Sequence, residues 1–185
     1  MRVIGGELKG RKFHPPAKNW PTRPTTDFAK EGLYNILQNR IDWTETKMLD
    51  LFGGTGSQGY EAISRGCQDV TYVDQFKAAA TFVKSTAEQF KIDDRLTVVQ
   101  MEVAKFIRNH KVKYDYIFAG PPYPLKWLDK IPMMIFEQNL LSDDGLFVLE
   151  HNPHHDFTDY VHYKEQRKYG TTIFSFFRMT TDNAK

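Results

Sequence analysis

Cysteine is almost missing from this 185-residue chain. Cys67 stands alone, which excludes an internal disulfide and fits a reducing cytosol. Long apolar runs are missing too. No stretch approaches the length that spans a bilayer, and the opening MRVIGGELKGRKF has no apolar core of the kind a secretion signal carries. On these grounds the protein is expected to be cytoplasmic. Repeats and low-complexity tracts are absent as well. What remains is an ordinary globular composition, 41% hydrophobic and 26% charged, with length enough for one domain and a proper core.

Net charge is small, +2, but the positive charge is segregated. Residues 1–23 hold Arg2, Lys9, Arg11, Lys12, Lys18 and Arg23 against Glu7 alone, while the rest of the chain carries 19 basic and 22 acidic groups. A basic arm over 1–23 on a slightly acidic body over 24–185 reads either as the binder of a polyanion or as a solvated tail.

Periodicity supplies the architecture. Thr26 or Asp27 is placed to cap a helix in which Ala29, Leu33, Ile36 and Leu37 share a face. From residue 48 the apolar runs MLDLF, VTYVD, LTVV, YIFA and LFVLE alternate with stretches of helical spacing. Those helices are expected over about 58–65, from Phe76 to Phe90, over 103–109 and over 127–139. Strands that are apolar throughout are those covered on both faces, the mark of a parallel, doubly wound sheet. The last segment, DYVHYKEQRKYGTTIFSFFRM, predicts an antiparallel hairpin turning at Tyr169-Gly170.

In such a sheet ligands bind beyond the carboxyl ends of the strands. The first of these ends is DLFGGTGSQG, where Gly53, Gly54 and Gly56 allow a tight turn and a close backbone approach. Gly54 to Gly59 satisfies G-x-G-x-x-G, and Asp74 follows about 20 residues later, which taken literally is a dinucleotide fingerprint. Asp50 argues otherwise. A carboxylate at the mouth of the loop repels a pyrophosphate but suits a ligand bearing an ammonium and a sulfonium, namely S-adenosylmethionine. Asp74 can then receive both ribose hydroxyls, and Glu102 lies where an adenine edge is expected. Phe52, Thr55, Gln75 and Val103 complete the expected cofactor set.

The fourth run ends in YIFAGPPY. Methyl transfer to an exocyclic amine of a base is hindered because the nitrogen lone pair is delocalised into the ring. Hydrogen-bond acceptors for its N–H groups steer the nitrogen towards tetrahedral geometry. A side-chain acceptor together with a proline-locked backbone carbonyl can supply them, since prolines fix φ and carry no competing N–H. Tyr123 offers a face on which an extruded base stacks. Gly120, Pro121, Pro122 and Tyr123 are therefore the expected acceptor site. Direct in-line transfer needs no metal and no covalent intermediate.

MRVIGGELKGRKF, TRPTTD, DLFGGTGSQGYEAISRG, the acid of YVD and PPY together resemble the bacterial RsmD family of S-adenosylmethionine-dependent methyltransferases, over nearly the whole chain. That family modifies a guanine N2 amine in 16S ribosomal RNA. The resemblance implies a Rossmann-like class I methyltransferase: a seven-stranded, mostly parallel sheet, a C-terminal antiparallel hairpin and a small N-terminal β-hairpin. It implies 16S rRNA as partner, within a small ribosomal subunit or its assembly intermediate. Arg2, Lys9, Arg11 and Lys12 become phosphate contacts, with Arg23 and Thr25 at the edge of the active site. A monomer is expected.

Two positions depart from the family pattern. Glu102 stands where Asp is commoner, and Gly120 stands where the family has Asp before Pro-Pro-Tyr. Loss of that charged hydrogen bond costs on the order of 1.5–3 kcal/mol, roughly 10- to 150-fold in rate. No acid in the sequence evidently replaces it, Asp115 lying at the other end of the strand. The expectation is a slow methyltransferase, with an rRNA-binding protein that no longer methylates as the alternative. A nicotinamide-dependent oxidoreductase and a DNA amino-methyltransferase are the remaining rivals. Glu150, His151, His154, His155 and Asp156 invite a metal reading, but Pro153 forbids helical i, i+4 geometry, and they are expected as solvated groups in a loop after the fifth strand. Cys67 and IPMMIF are assigned to packing, and Trp127 to either the substrate mouth or the core.

Overall fold

The computed structural model describes residues 1–16, 20 and 24–179, so the expectations for Lys18 and Arg23 lie outside the described residues. The apolar runs form β1 (Lys47–Leu51), β2 (Asp69–Asp74), β3 (Leu96–Gln100), β4 (Tyr114–Ala119) and β5 (Leu141–His151). β6 (Tyr163–Tyr169) and β7 (Thr172–Phe177) are the expected terminal hairpin. Together they make a seven-stranded sheet in the order β3-β2-β1-β4-β5-β7-β6. Its first five members are parallel, and β7 runs antiparallel to both β5 and β6. The α/β, Rossmann-like plan expected from the alternating runs is the one observed.

Period-two alternation explains how the helices attach. Met48, Tyr72, Phe118 and Val148 face one core with α1 (Asp27–Leu37), α2 (Ser57–Ser64) and α3 (Lys77–Phe90). Leu49, Val73, Ile117 and Leu149 face the other with α4 (Val103–Asn109) and α5 (Ile131–Glu137). Thr26 starts α1, its hydroxyl accepting from the Ala29 amide at 3.2 Å. Cys67 is buried after α2 with its thiol on the Thr46 carbonyl at 3.0 Å, and burial pushes its pKa up to about 11.

Two features differ from expectation. The helix expected over 127–139 is a 3-10 turn, Leu128–Lys130, followed by α5. Pro132 is the cause: without an N–H it belongs in the first turn of a helix, so α5 begins at its threshold. Second, Glu150 and His151 are not solvated loop residues. β5 runs on through both because β7 pairs alongside, Glu150 against Phe174 and His151 against Ile173, and both side chains are buried. His151 lies 2.8 Å from Ser175 Oγ, and burial lowers its pKa. The small N-terminal hairpin is present, paired antiparallel at Arg2 and Lys12 and tied by the Val3 amide on the Arg11 carbonyl and the Gly10 amide on the Val3 carbonyl, both at 2.9 Å.

That small hairpin is held by an internal clamp. Val3, Leu8 and Phe13 bury its apolar side. Glu61 of α2, wholly buried, accepts from the Ile4 and Gly5 amides at 2.8 Å each and from Arg65 Nε at 3.0 Å. Lys30 of α1 lies 3.6 Å from the same carboxylate and donates to the Arg2 carbonyl and to Ser57 Oγ. Burial lowers the Lys30 pKa against the pull of Glu61. Removing one partner of a buried ion pair leaves the other uncompensated. Glu61→Ala is therefore expected to lower unfolding free energy by about 3–5 kcal/mol in urea titration. Exchange of the Ile4 and Gly5 amides should accelerate as well; a loss under about 1 kcal/mol would show that the clamp is incidental.

Candidate active site

The strand order reverses between β1 and β4, since β2 and β3 lie to one side of β1 and β4 and β5 to the other. Two adjoining cavities open there, of 310 and 180 Å³, with Phe52 and Pro122 in the walls of both, so they form two lobes of one crevice. The larger lobe is lined by Asp50, Gly53, Gly54, Thr55, the stretch from Gly120 to Tyr123, and Thr25. The smaller holds Asp74, Gln75, Glu102 and Val103, with Trp127 at 5.7 Å from the Phe52 ring. Gly56 lines neither lobe. Arg2, Lys9, Arg11 and Lys12 are exposed on the hairpin and line neither lobe. There Arg2 lies 3.6 Å from Asp27, and Arg11 lies over the Phe90 ring.

The loop between β1 and α2 needs its small residues. A Cβ at Gly53 would meet the Tyr72 ring at 2.3 Å. Gly56, at φ +78°, would drive one to 2.6 Å from Tyr60. Phe52 also adopts a left-handed conformation, φ +58°, a local strain that turns its ring into the partition between the lobes. Asp74, at the end of β2, holds the loop in place. Its Oδ2 accepts from the Gly54 amide and its Oδ1 from the Phe76 amide, both at 2.9 Å. A diol meeting this carboxylate therefore meets one already fixed by two backbone donors. Glu102 is half-exposed, 3.9 Å from Arg108, and sits at the rim.

Asp50 is in the opposite condition. It is buried and faces the larger lobe, and neither oxygen completes a hydrogen bond of good geometry among the described residues, the Gly59 amide being a weak donor at best. Burial first, and the neighbouring Asp74 carboxylate second, push its pKa up to about 8, with the Gly59 amide opposing weakly. Gln58, in the first turn of α2, is also buried on this wall, and neither atom of its amide has a partner among the described residues. Unpaired buried polar groups are costly, so two in one cavity wall mark a place where a polar, cation-bearing ligand restores what folding left unmet.

On the acceptor side the Gly120 amide donates to the Leu51 carbonyl at 3.2 Å, and the Pro122 carbonyl accepts from the Leu125 amide at 2.9 Å, closing the turn. The expectation that no acid stands near Gly120 is incorrect. Glu150, at the end of the adjacent β5, also lines the lobe. It accepts from the Tyr123 hydroxyl at 3.0 Å and from the Thr25 hydroxyl at 2.5 Å. Sequence reasoning missed Gln58 and Glu150. For Glu150 a signal existed: YIFA and LFVLE, set side by side in parallel, bring residues 120 and 150 level.

Residues 1–178 match the family described as "Conserved hypothetical protein 95". A Haemophilus influenzae protein named ribosomal RNA small subunit methyltransferase D is 30% identical over 81% of this chain and 78% of its own length. The Escherichia coli K12 protein of the same name is 28% identical over 81% of this chain and 74% of its own. Among solved structures, a hypothetical protein of Thermus thermophilus superposes with a TM-score of 0.84 and 25% identity, covering 97% of this chain and 99% of that one.

The raised pKa of Asp50 has a measurable consequence. An unfolded aspartate ionises near its ordinary value of 3.8, whereas the folded one keeps its proton to about 8. The stability this confers is full below the unfolded value and is lost as pH rises towards the folded one, about tenfold in the folding constant per pH unit. Asp50→Asn removes that slope. In urea titrations from pH 5 to 8 the wild type should lose stability relative to the variant by about 1.4 kcal/mol per unit; parallel profiles would refute the assignment.

Proposed function

The chain belongs to the conserved hypothetical protein 95 family, and from that premise we propose that it is an S-adenosylmethionine-dependent methyltransferase acting on the exocyclic N2 of a guanine in 16S rRNA. The observation that carries the reading is the pair of unmet polar side chains, Asp50 and Gln58, in the wall of a crevice whose other lobe is aromatic. They fit this cofactor: Asp50 receives an ammonium, Gln58 a carboxylate, Asp74 the ribose hydroxyls, and Phe52, Val103 and Trp127 enclose the adenine, with Glu102 at its edge. A pyrophosphate leaves Asp50 no cation to pair with and repels its ionised form, which disfavours the nicotinamide reading. When bound, S-adenosylmethionine supplies an electrophilic methyl on a sulfonium.

The remaining residues orient the acceptor and keep water out. Tyr123 provides the face on which the base lies, and Pro121 and Pro122 hold the backbone carbonyl between them in one orientation. Arg2, Lys9, Arg11, Lys12 and Arg23 meet phosphates, positioning the RNA without reading its sequence. Hairpin and core over 1–185 work as one domain, as a monomer in the cytoplasm, on a small ribosomal subunit or its precursor. No helix among the described residues is long and apolar enough to cross a membrane. Gly120 favours a second reading, an rRNA-binding protein that has ceased to methylate.

Incubation with small ribosomal subunits lacking this modification and methyl-labelled S-adenosylmethionine is expected to place label in N2-methylguanosine, identified by nucleoside mass spectrometry. Label in another nucleoside would overturn the acceptor assignment. RNA binding with no label in a single turnover would favour the second reading. Cofactor binding carries its own signature. Because Asp50 holds a proton below about pH 8 and loses it to solvent as an ammonium arrives, affinity for S-adenosylhomocysteine should rise from pH 6 to 8. Titration calorimetry in two buffers of different ionisation enthalpy should detect the released proton, and Asp50→Asn should abolish it.

A further inference from the structure

We propose that Glu150 is the side-chain acceptor for the amine of the substrate base, supplying from β5 the carboxylate that β4 lacks at Gly120. The inference rests on the reading of the chain as an amino-group methyltransferase. β4 and β5 run parallel with Ala119 level with Leu149, so the next residues along, Gly120 and Glu150, emerge together into the larger lobe. A Cβ built on Gly120 lies 3.9 Å from Glu150 Oε2. An aspartate at 120 and the glutamate at 150 would thus serve one region of the cavity from two adjacent strands.

The surroundings of Glu150 suit that work. Its side chain is buried, and its carboxylate is oriented from two sides by the Thr25 and Tyr123 hydroxyls. The Tyr123 bond matters most, because it ties the acceptor to the ring on which the base lies. A carboxylate presents about four acceptor sites, so an amine N–H is received beside these hydroxyls or in exchange for one. Gly120 itself is not demanded by the backbone. Its φ lies outside the left-handed region, and an added Cβ meets only Phe118 Cε1 more closely than ordinary contact, at 3.1 Å.

In the transfer the nitrogen lone pair, turned out of conjugation by the hydrogen bond to Glu150, forms the new N–C bond. The methyl C–S bond breaks as its electron pair returns to sulfur, leaving a thioether. The nitrogen, now positive, releases one proton to the Glu150 carboxylate, from which it leaves through the mouth of the cavity.

Single-turnover methyl transfer to small ribosomal subunits, together with calorimetric titration of S-adenosylhomocysteine, tests the assignment. Glu150→Gln is expected to slow transfer about 10- to 150-fold while changing cofactor affinity by less than about threefold. Gly120→Asp placed in that variant should recover most of the rate, a rescue that a residue merely bracing the loop would not permit. Gly120→Asp alone should bring no gain, since two acids then crowd one site, and this arm holds even if Glu150→Gln fails to fold. Wild-type rates in Glu150→Gln, failure of the rescue, or a rise in turnover from Gly120→Asp alone would each overturn the proposal. If the wild type is inactive and Gly120→Asp awakens it, the inference fails and the methyltransferase reading stands. No transfer by any form, with cofactor still bound, defeats both.

Discussion

Asp50 is a carboxyl that the protein buries and does not answer, and the crevice is arranged around that constraint. Parallel strands end on the same side, so a doubly wound sheet delivers its strand-end side chains to one edge whatever their charge. Here three of the strands bring acids to that edge, Asp50 from β1, Asp74 from β2 and, beyond β4, Glu150 from β5. The fold deals with each differently. Asp74 accepts from two backbone amides, Glu150 accepts from two hydroxyls, and Asp50 retains its proton. The differences divide the labour: a fixed carboxylate that shapes the loop, an oriented one on the acceptor side, and a latent one whose charge waits for a cation.

Much of this was legible in the string of residues, and the limits were physical. Strands covered on both faces announce themselves by being apolar throughout, which is why the five parallel members and the glycine loop were readable without coordinates. Thr26 declared the start of α1 because its short hydroxyl can reach an amide one turn on. Pro132 should have divided the expected helix over 127–139, and it did. The C-terminal end of β5 was not legible, because polar residues after LFVLE resemble a loop until a neighbour arrives. β7 is that neighbour, and its pairing carries Glu150 and His151 into the sheet: His151 turns to Ser175, and His155, its ring centroid 6.3 Å from that of His151, to Asp129 at 2.6 Å. Whether a side chain is satisfied is likewise invisible in sequence, so Gln58 passed as one more letter of a glycine motif.

The same distinction applies at Gly120. Along the chain, positions 120 and 150 are thirty residues apart; across the sheet they are neighbours. A motif written for one strand records where an acid most often enters, not the place it has to reach. The hairpin clamp follows similar logic, since Glu61 and Lys30 come from different helices and meet only because α1 and α2 share a face of the sheet.

Cys67 gives the molecule a practical asset. Its thiol is sealed against the Thr46 carbonyl, and burial keeps it from ionising at neutral pH, so the chain's single sulfhydryl is silent towards maleimides and iodoacetamides. A thiol introduced at exposed His14 would then be the one a fluorophore or spin label finds, which allows the hairpin to be watched as RNA approaches without first removing a native cysteine.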